Sequence, residues 1–173
     1  MASVKKTVTR AKPKLKSAAS IRGACLCGAV EIEVDVPVFW AWHDHTAASR
    51  KAHGAAYATY VGTYRSKFRV MRGKDRISRF EEEATGNVRS FCGKCGTPLT
   101  YERKRSPKWM NLPRALFAGR TGREPRYHIA IDELQEWIYT GAALVPLKGY
   151  PGVVWERPRK KRGKTAPVFE PDF

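Results

Sequence analysis

The 173-residue chain sets 33 Lys and Arg against 16 Asp and Glu, a formal charge of +17, with 42% hydrophobic and 11% aromatic residues. That apolar content excludes a wholly disordered basic protein and predicts one domain with tails. No apolar run approaches the roughly 18 residues of a membrane span, and the N-terminus shows no apolar stretch or cleavage site of a secretory signal, so a cytoplasmic protein with no membrane partner is expected.

The charge is concentrated at the ends, which divides the chain into a basic disordered tail over residues 1–20, a domain over 21–155 and a second basic disordered tail over 156–173. Residues 1–22 carry Lys5, Lys6, Arg10, Lys12, Lys14, Lys16 and Arg22 with no acid. Residues 156–173 carry Arg157, Arg159, Lys160, Lys161, Arg162 and Lys164 against Glu156, Glu170 and Asp172. Such runs attract polyanions by counterion release, which makes nucleic acid one reading; solvated ends that aid solubility are the other. A targeting peptide is a third, although a transit peptide favours Arg and this segment is rich in Lys.

The first domain feature in chain order is Cys25-Leu26-Cys27, matched after 64 intervening residues by Cys92-Gly93-Lys94-Cys95. In a cytoplasmic chain two close pairs read as four thiolates around one Zn²⁺ more readily than as two disulfides. Glycines in Phe91-Cys92-Gly93-Lys94-Cys95-Gly96-Thr97 let the backbone turn around a metal and aim amides at the sulfurs. A four-sulfur tetrahedral site has no vacant position, so it would be structural. Buried, unligated cysteines are the alternative.

Between the pairs, Val30, Ile32, Val34 and Val36 alternate with Glu31, Glu33 and Asp35, the period of a strand with one buried face. Further short strands are predicted at 56–61, 67–72, 77–81, 87–91 and 98–102, with turns at 72–75 and 85–87. Regular short strands with turn punctuation predict a compact, mainly antiparallel β fold. Residues 105–125, with Pro107, Pro113, Gly119, Gly122 and Pro125, read as a long excursion before a strand at 127–131. Asp132 is then placed to cap a helical turn running to Trp137.

Gly23-Ala24-Cys25-Leu26-Cys27-Gly28-Ala29-Val30, Arg50-Lys51-Ala52-His53-Gly54, Phe91 to Leu99 around the second cysteine pair, and Tyr127-His128-Ile129 followed by Trp137 together resemble the GFA family. These are the glutathione-dependent formaldehyde-activating enzymes, which share their domain with centromere protein V. The resemblance covers about residues 21–151 and leaves both tails outside. It implies a β-tent fold, a structural zinc on Cys25, Cys27, Cys92 and Cys95, and carbon–sulfur lyase activity on the adduct of glutathione thiol and formaldehyde, S-hydroxymethylglutathione.

The sequence departs from that family where its chemistry sits. The family's second zinc is held by a segment of the form Cys-His-Cys-Ser-x-Cys-Arg-Lys-x-x-Gly. Aligning Arg50, Lys51 and Gly54 puts Asp44, Thr46 and Ser49 at the three cysteine positions and His45 at the histidine. Hydroxyls are poor zinc ligands and one carboxylate does not replace three thiolates, so the Lewis-acid centre is expected to be altered or lost. His43, Asp44, His45 and His53 are nonetheless weak catalytic or metal-ligand candidates, because a one-residue shift sets His43 and His45 over the first two cysteine positions; Ala48 then falls on the third. His128 reads as a hydrogen-bonded strand residue. Trp40, Trp42, Tyr57 and Tyr60 wall a pocket or pack the core. Arg50 and Lys51 are candidates to receive the carboxylates of a glutathione adduct.

Overall fold

The computed structural model describes residues 19–135 and 144–156. Both charged tails, apart from their innermost residues, and Trp137 lie outside them. In chain order the elements are β1 (Ser20–Ala24), β2 (Glu31–Asp35), β3 (Trp40–Asp44), α1 (Ala47–His53), β4 (Ala58–Tyr64), β5 (Phe68–Arg72), β6 (Ile77–Glu81), β7 (Val88–Cys92), β8 (Pro98–Glu102), β9 (Trp109–Pro113), β10 (Tyr127–Ile129), β11 (Leu144–Pro146) and β12 (Val154–Glu156), with short 3₁₀ turns between some of them. Among the described residues they form a three-stranded sheet, β1-β2-β5, and a nine-stranded sheet, β11-β12-β10-β3-β4-β9-β8-β7-β6. Pairing is antiparallel throughout except where β10 runs parallel to β3. This is the mainly β, largely antiparallel fold expected.

Alternation along the strands sorts side chains into two layers. Ile32 and Val34 of β2 are fully buried and pack with Ala41, Val61, Leu99, Met110 and Leu112 of the large sheet. The main core therefore lies between the sheets, each large side chain contributing roughly 1.5–3 kcal/mol by burial. On the other face of the large sheet Trp42, Tyr60 and Tyr101 form a second cluster, joined by Trp40 and Tyr127. The strand period explains the split: Ala41 and Val61 face the core while their neighbours Trp42 and Tyr60 face away.

Several expectations need correcting. Residues 105–125 are not one excursion, because β9 lies within them, between β4 and β8. Met110 and Leu112 alternate with Trp109 and Asn111, a strand signal that the flanking Pro107 and Pro113 obscure. Arg22 belongs to β1 and its Nε donates to Glu33 at 3.1 Å, so it is sheet charge and not tail charge. Asp132 is not a helix cap: it lies inside a 3₁₀ segment, Ile131–Glu133, entered through Ala130 at φ 53° with no side-chain cap, and Trp137 lies outside the described residues. The segment at 47–53, read only as a ligand-bearing stretch, is helical. Thr46 caps it by accepting from the Ser49 amide, and Gly54 closes it at φ 58°.

No helix among the described residues is long and apolar enough to cross a membrane.

Candidate functional site

Two tight loops meet at one end of the molecule. The β1–β2 loop carries Cys25 and Cys27 and is closed by hydrogen bonds from the Cys25 amide to the Val30 carbonyl (3.0 Å) and from the Gly28 amide to the Cys25 carbonyl (2.9 Å). The β7–β8 loop carries Cys92 and Cys95 and is closed by the Cys92 amide on the Thr97 carbonyl and the Gly96 amide on the Cys92 carbonyl. Gly96, at φ 72°, makes this last turn in a conformation that costs glycine little. The Leu26 amide donates to Thr97 Oγ1 at 3.0 Å and ties the loops together.

The sulfurs of Cys25, Cys27, Cys92 and Cys95 all lie within 4.8 Å of one another. Cys25 and Cys27 are 3.6 Å apart and Cys27 and Cys92 3.8 Å, so the cysteines are not bonded in disulfides. Tetrahedral zinc at about 2.3 Å from each thiolate requires sulfurs roughly 3.8 Å apart, and the observed spacings fit it. The protein supplies the secondary contacts such a site needs: the Val30 amide donates to Cys25 at 3.2 Å and Thr97 Oγ1 lies 3.1 Å from Cys95. The Thr97 hydroxyl and amide lower the Cys95 thiol to about 5. At Cys27 the Ala29 amide lowers the thiol, but burial and the neighbouring cysteines outweigh it and push it up to about 11. Four thiols so close do not all ionise without a cation among them.

Asp44, Thr46 and Ser49 do converge, at the junction of β3 and α1. Asp44 is buried; its Oδ1 accepts from the Thr46 amide (3.0 Å) and its Oδ2 from the Ser49 hydroxyl (3.1 Å). Arg89 of β7 reaches the same point, donating to Ser49 Oγ at 3.4 Å, to the Tyr60 hydroxyl at 3.0 Å and to Glu82 Oε1 at 2.6 Å. Its guanidinium also lies over the Tyr101 ring, 4.2 Å from the centroid. Because Arg89 only donates, the Tyr60 oxygen accepts there, and the same hydroxyl lies 2.9 Å from His53 Nε2. Burial, with Arg89 nearby, lowers the His53 pKa, and burial raises that of Tyr60, so both are neutral near pH 7.

The remaining histidines belong to a different group. His43, on the opposite face of β3 from Asp44, sits 3.0 Å from Thr59 Oγ1 through its Nδ1. His45 Nε2 and His128 Nδ1 are 2.8 Å apart, and both rings are buried beside Tyr57. Burial above all, with neighbouring histidines next, lowers His45 and His128 to about 4. His43, Asp44, His45 and His53 are therefore not gathered around one point. Among the described residues the four cysteines are the group of His, Cys, Asp and Glu placed closely enough to hold a metal ion. Arg50 is committed elsewhere: its Nη1 donates to the His45 carbonyl and, at 2.7 Å, to the Glu133 carbonyl, fixing α1 to the 131–133 turn. Lys51 is exposed.

Arg89, by contrast, faces a cavity. A cleft of about 230 Å³ is lined by His53, Tyr60, Phe80, Arg89, Phe91 and Thr100, among others. Thr100 Oγ1 is buried with no hydrogen-bond partner. Neither Arg89 nor Thr100 carries a sequence signal: one arginine or threonine in a short strand looks like any solvent-facing residue until the register sets Arg89 beside Tyr101.

Residues 20–133 match the family described as glutathione-dependent formaldehyde-activating enzyme, and the chain belongs to that family. Its fold is similar to the crystal structure of a Rhodobacter sphaeroides protein, a structural genomics target, with a TM-score of 0.50 and 26% identity over 58% of this chain and 90% of that one. Among curated proteins there is no match to this chain.

Proposed function

We propose that this protein is a one-zinc member of its family that binds a small anionic thiol adduct, of the glutathione–aldehyde class, in the cleft of His53, Tyr60 and Arg89, without the second zinc of the carbon–sulfur lyase reaction. Cys25, Cys27, Cys92 and Cys95 would hold the zinc, which closes the end of the fold and performs no chemistry there.

The observation that carries this reading is the hydrogen-bonded closure of Asp44 and Ser49 against Arg89. A guanidinium fixed 3.4 Å from Ser49 Oγ disfavours a dication at the same point, and each oxygen of Asp44 already accepts one hydrogen bond. The same guanidinium suits a carboxylate or oxyanion of a ligand. Phe80 and Phe91 offer apolar walls, and Thr100 a hydroxyl still in need of a partner. The test is calorimetric titration with glutathione and with S-hydroxymethylglutathione, alongside a lyase assay with and without chelator. Binding should fall at least about tenfold in Arg89→Gln and recover in part in Arg89→Lys. Turnover abolished by a chelator that leaves the fold intact would refute the reading.

A second reading, polyanion binding through residues 1–22 and 156–173, is favoured by the charge of those segments. It requires binding that weakens steeply with salt and vanishes when residues 1–18 and 157–173, which lie outside β1 and β12, are deleted.

A further inference from the structure

We infer that the outer face of the large sheet is a binding groove for single-stranded nucleic acid, with bases stacking on the rings around Trp109 and phosphates meeting the basic β8–β9 loop. The groove shares no lining residue with the Arg89 cleft and does not depend on the tails.

A groove of about 250 Å³ is lined by Phe39, Trp40, Trp42, Arg103, Trp109 and Asn111, among others. Gly62 of β4 forms part of its floor. A side chain there would meet the Trp42 ring at 3.1 Å, so the glycine allows the indole to lie across the strand. Trp109 stacks on Tyr64 with centroids 4.5 Å apart and planes at 26°, and Phe39 lies 4.9 Å from Trp109 and 6.3 Å from Tyr64, so the three rings form one cluster. Phe39 is 59% exposed and Tyr64 41%, so these rings form a surface and not a core. Trp42 Nε1 is buried on this face without an acceptor.

The charge beside the rings has the sign that phosphate requires. The β8–β9 loop reads Arg103-Lys104-Arg105-Ser106-Pro107-Lys108, and Lys104, Arg105 and Lys108 are exposed. Among the described residues none of its four cations pairs with a carboxylate, whereas Arg22, Arg69 and Arg72 on the small sheet are all paired. Glu102, the acid adjoining the loop, is engaged by Arg65 and Arg79. The Arg103 guanidinium sits 5.8 Å from the centroids of both Trp42 and Tyr101, at the seam between cations and rings.

Planar rings beside unneutralised cations are what a single strand engages, because every unpaired base offers a π face and every linkage a phosphate. A duplex hides its base faces and offers only phosphates. A run of cations along the loop suits a polymer better than one nucleotide.

The test uses the full chain with both tails. Labelled oligothymidylate and a duplex with the same number of phosphates are titrated by fluorescence anisotropy, with tryptophan emission recorded in parallel. The single strand should bind about tenfold tighter or more and quench tryptophan emission. Trp109→Ala should remove most of that preference while leaving duplex binding and metal content unchanged, and Trp109→Phe should retain it. Arg103→Gln should flatten the salt dependence for the single strand. Equal affinity for single strand and duplex with no quenching would overturn the proposal and leave tail electrostatics alone. So would a mononucleotide that binds as tightly as the oligonucleotide. If Trp109→Ala fails to fold, strand preference and quenching in the parent protein still decide the matter.

Discussion

At the residue scale the site is decided by single hydrogen bonds. Ser49 is fully buried and is the donor that satisfies Asp44 Oδ2. Ser49→Ala strands that oxygen, and should cost about 1–3 kcal/mol of stability, read as a lower urea midpoint with an unchanged slope. His45 and His128 supply a pH dependence. Their native pKa values near 4 lie below the ordinary 6.5, so between those limits the unfolded chain takes up protons that the native state refuses. Stability is therefore complete above about pH 6.5 and falls as pH drops toward 4, by about 1.4 kcal/mol per pH unit for each histidine. Urea midpoints measured from pH 7.5 to 4.5 should show this slope, and His45→Gln should reduce it.

At the element scale the sequence was most legible where chemistry and spacing coincide. The two cysteine pairs, just after β1 and at the end of β7, pointed to each other before any strand was paired, because a shared ion explains glycine-flanked thiols in that arrangement more readily than disulfides or packing do. The Val30 to Val36 alternation marked β2, since one face is buried and the other carries acids. Helix α1 was hidden because seven residues with one buried member, Ser49, show no apolar period. Strand β9 was hidden by its prolines. The convergence of Asp44 and Ser49 on Arg89 depends on register across β7, β8, β9 and β4, which no local pattern carries. Gly73 shows an element-level constraint of the same kind. It starts the turn between β5 and β6 at φ 73°, and a Cβ there would meet the Ala29 carbonyl oxygen at 2.0 Å, on the β1–β2 loop that carries Cys25 and Cys27. Gly73→Ala should destabilise the protein by about 3 kcal/mol or more and weaken metal retention with it, measurable by thermal unfolding with metal release followed in parallel.

At the scale of the whole molecule, the cysteine cluster joins the small sheet, through β1 and β2, to the large sheet, through β7 and β8. Metal bound there stabilises the native state by linkage, since the unfolded chain holds its four thiols far apart. Chelation should therefore lower the stability of both sheets in one cooperative transition, followed by urea unfolding with and without chelator. Around that frame Asp44, Ser49 and Arg89 form a closed polar network, and exposed rings stand beside the cations of the β8–β9 loop.

The measurement that bears most directly on this account is metal content per chain, by elemental mass spectrometry, on protein purified without chelator and on two variants. One equivalent of zinc is expected in the parent and in the His43→Ala, His45→Ala double variant, and almost none in Cys92→Ser. Two equivalents in the parent, falling to one in the histidine variant, would contradict the account and establish a second metal held by the histidines.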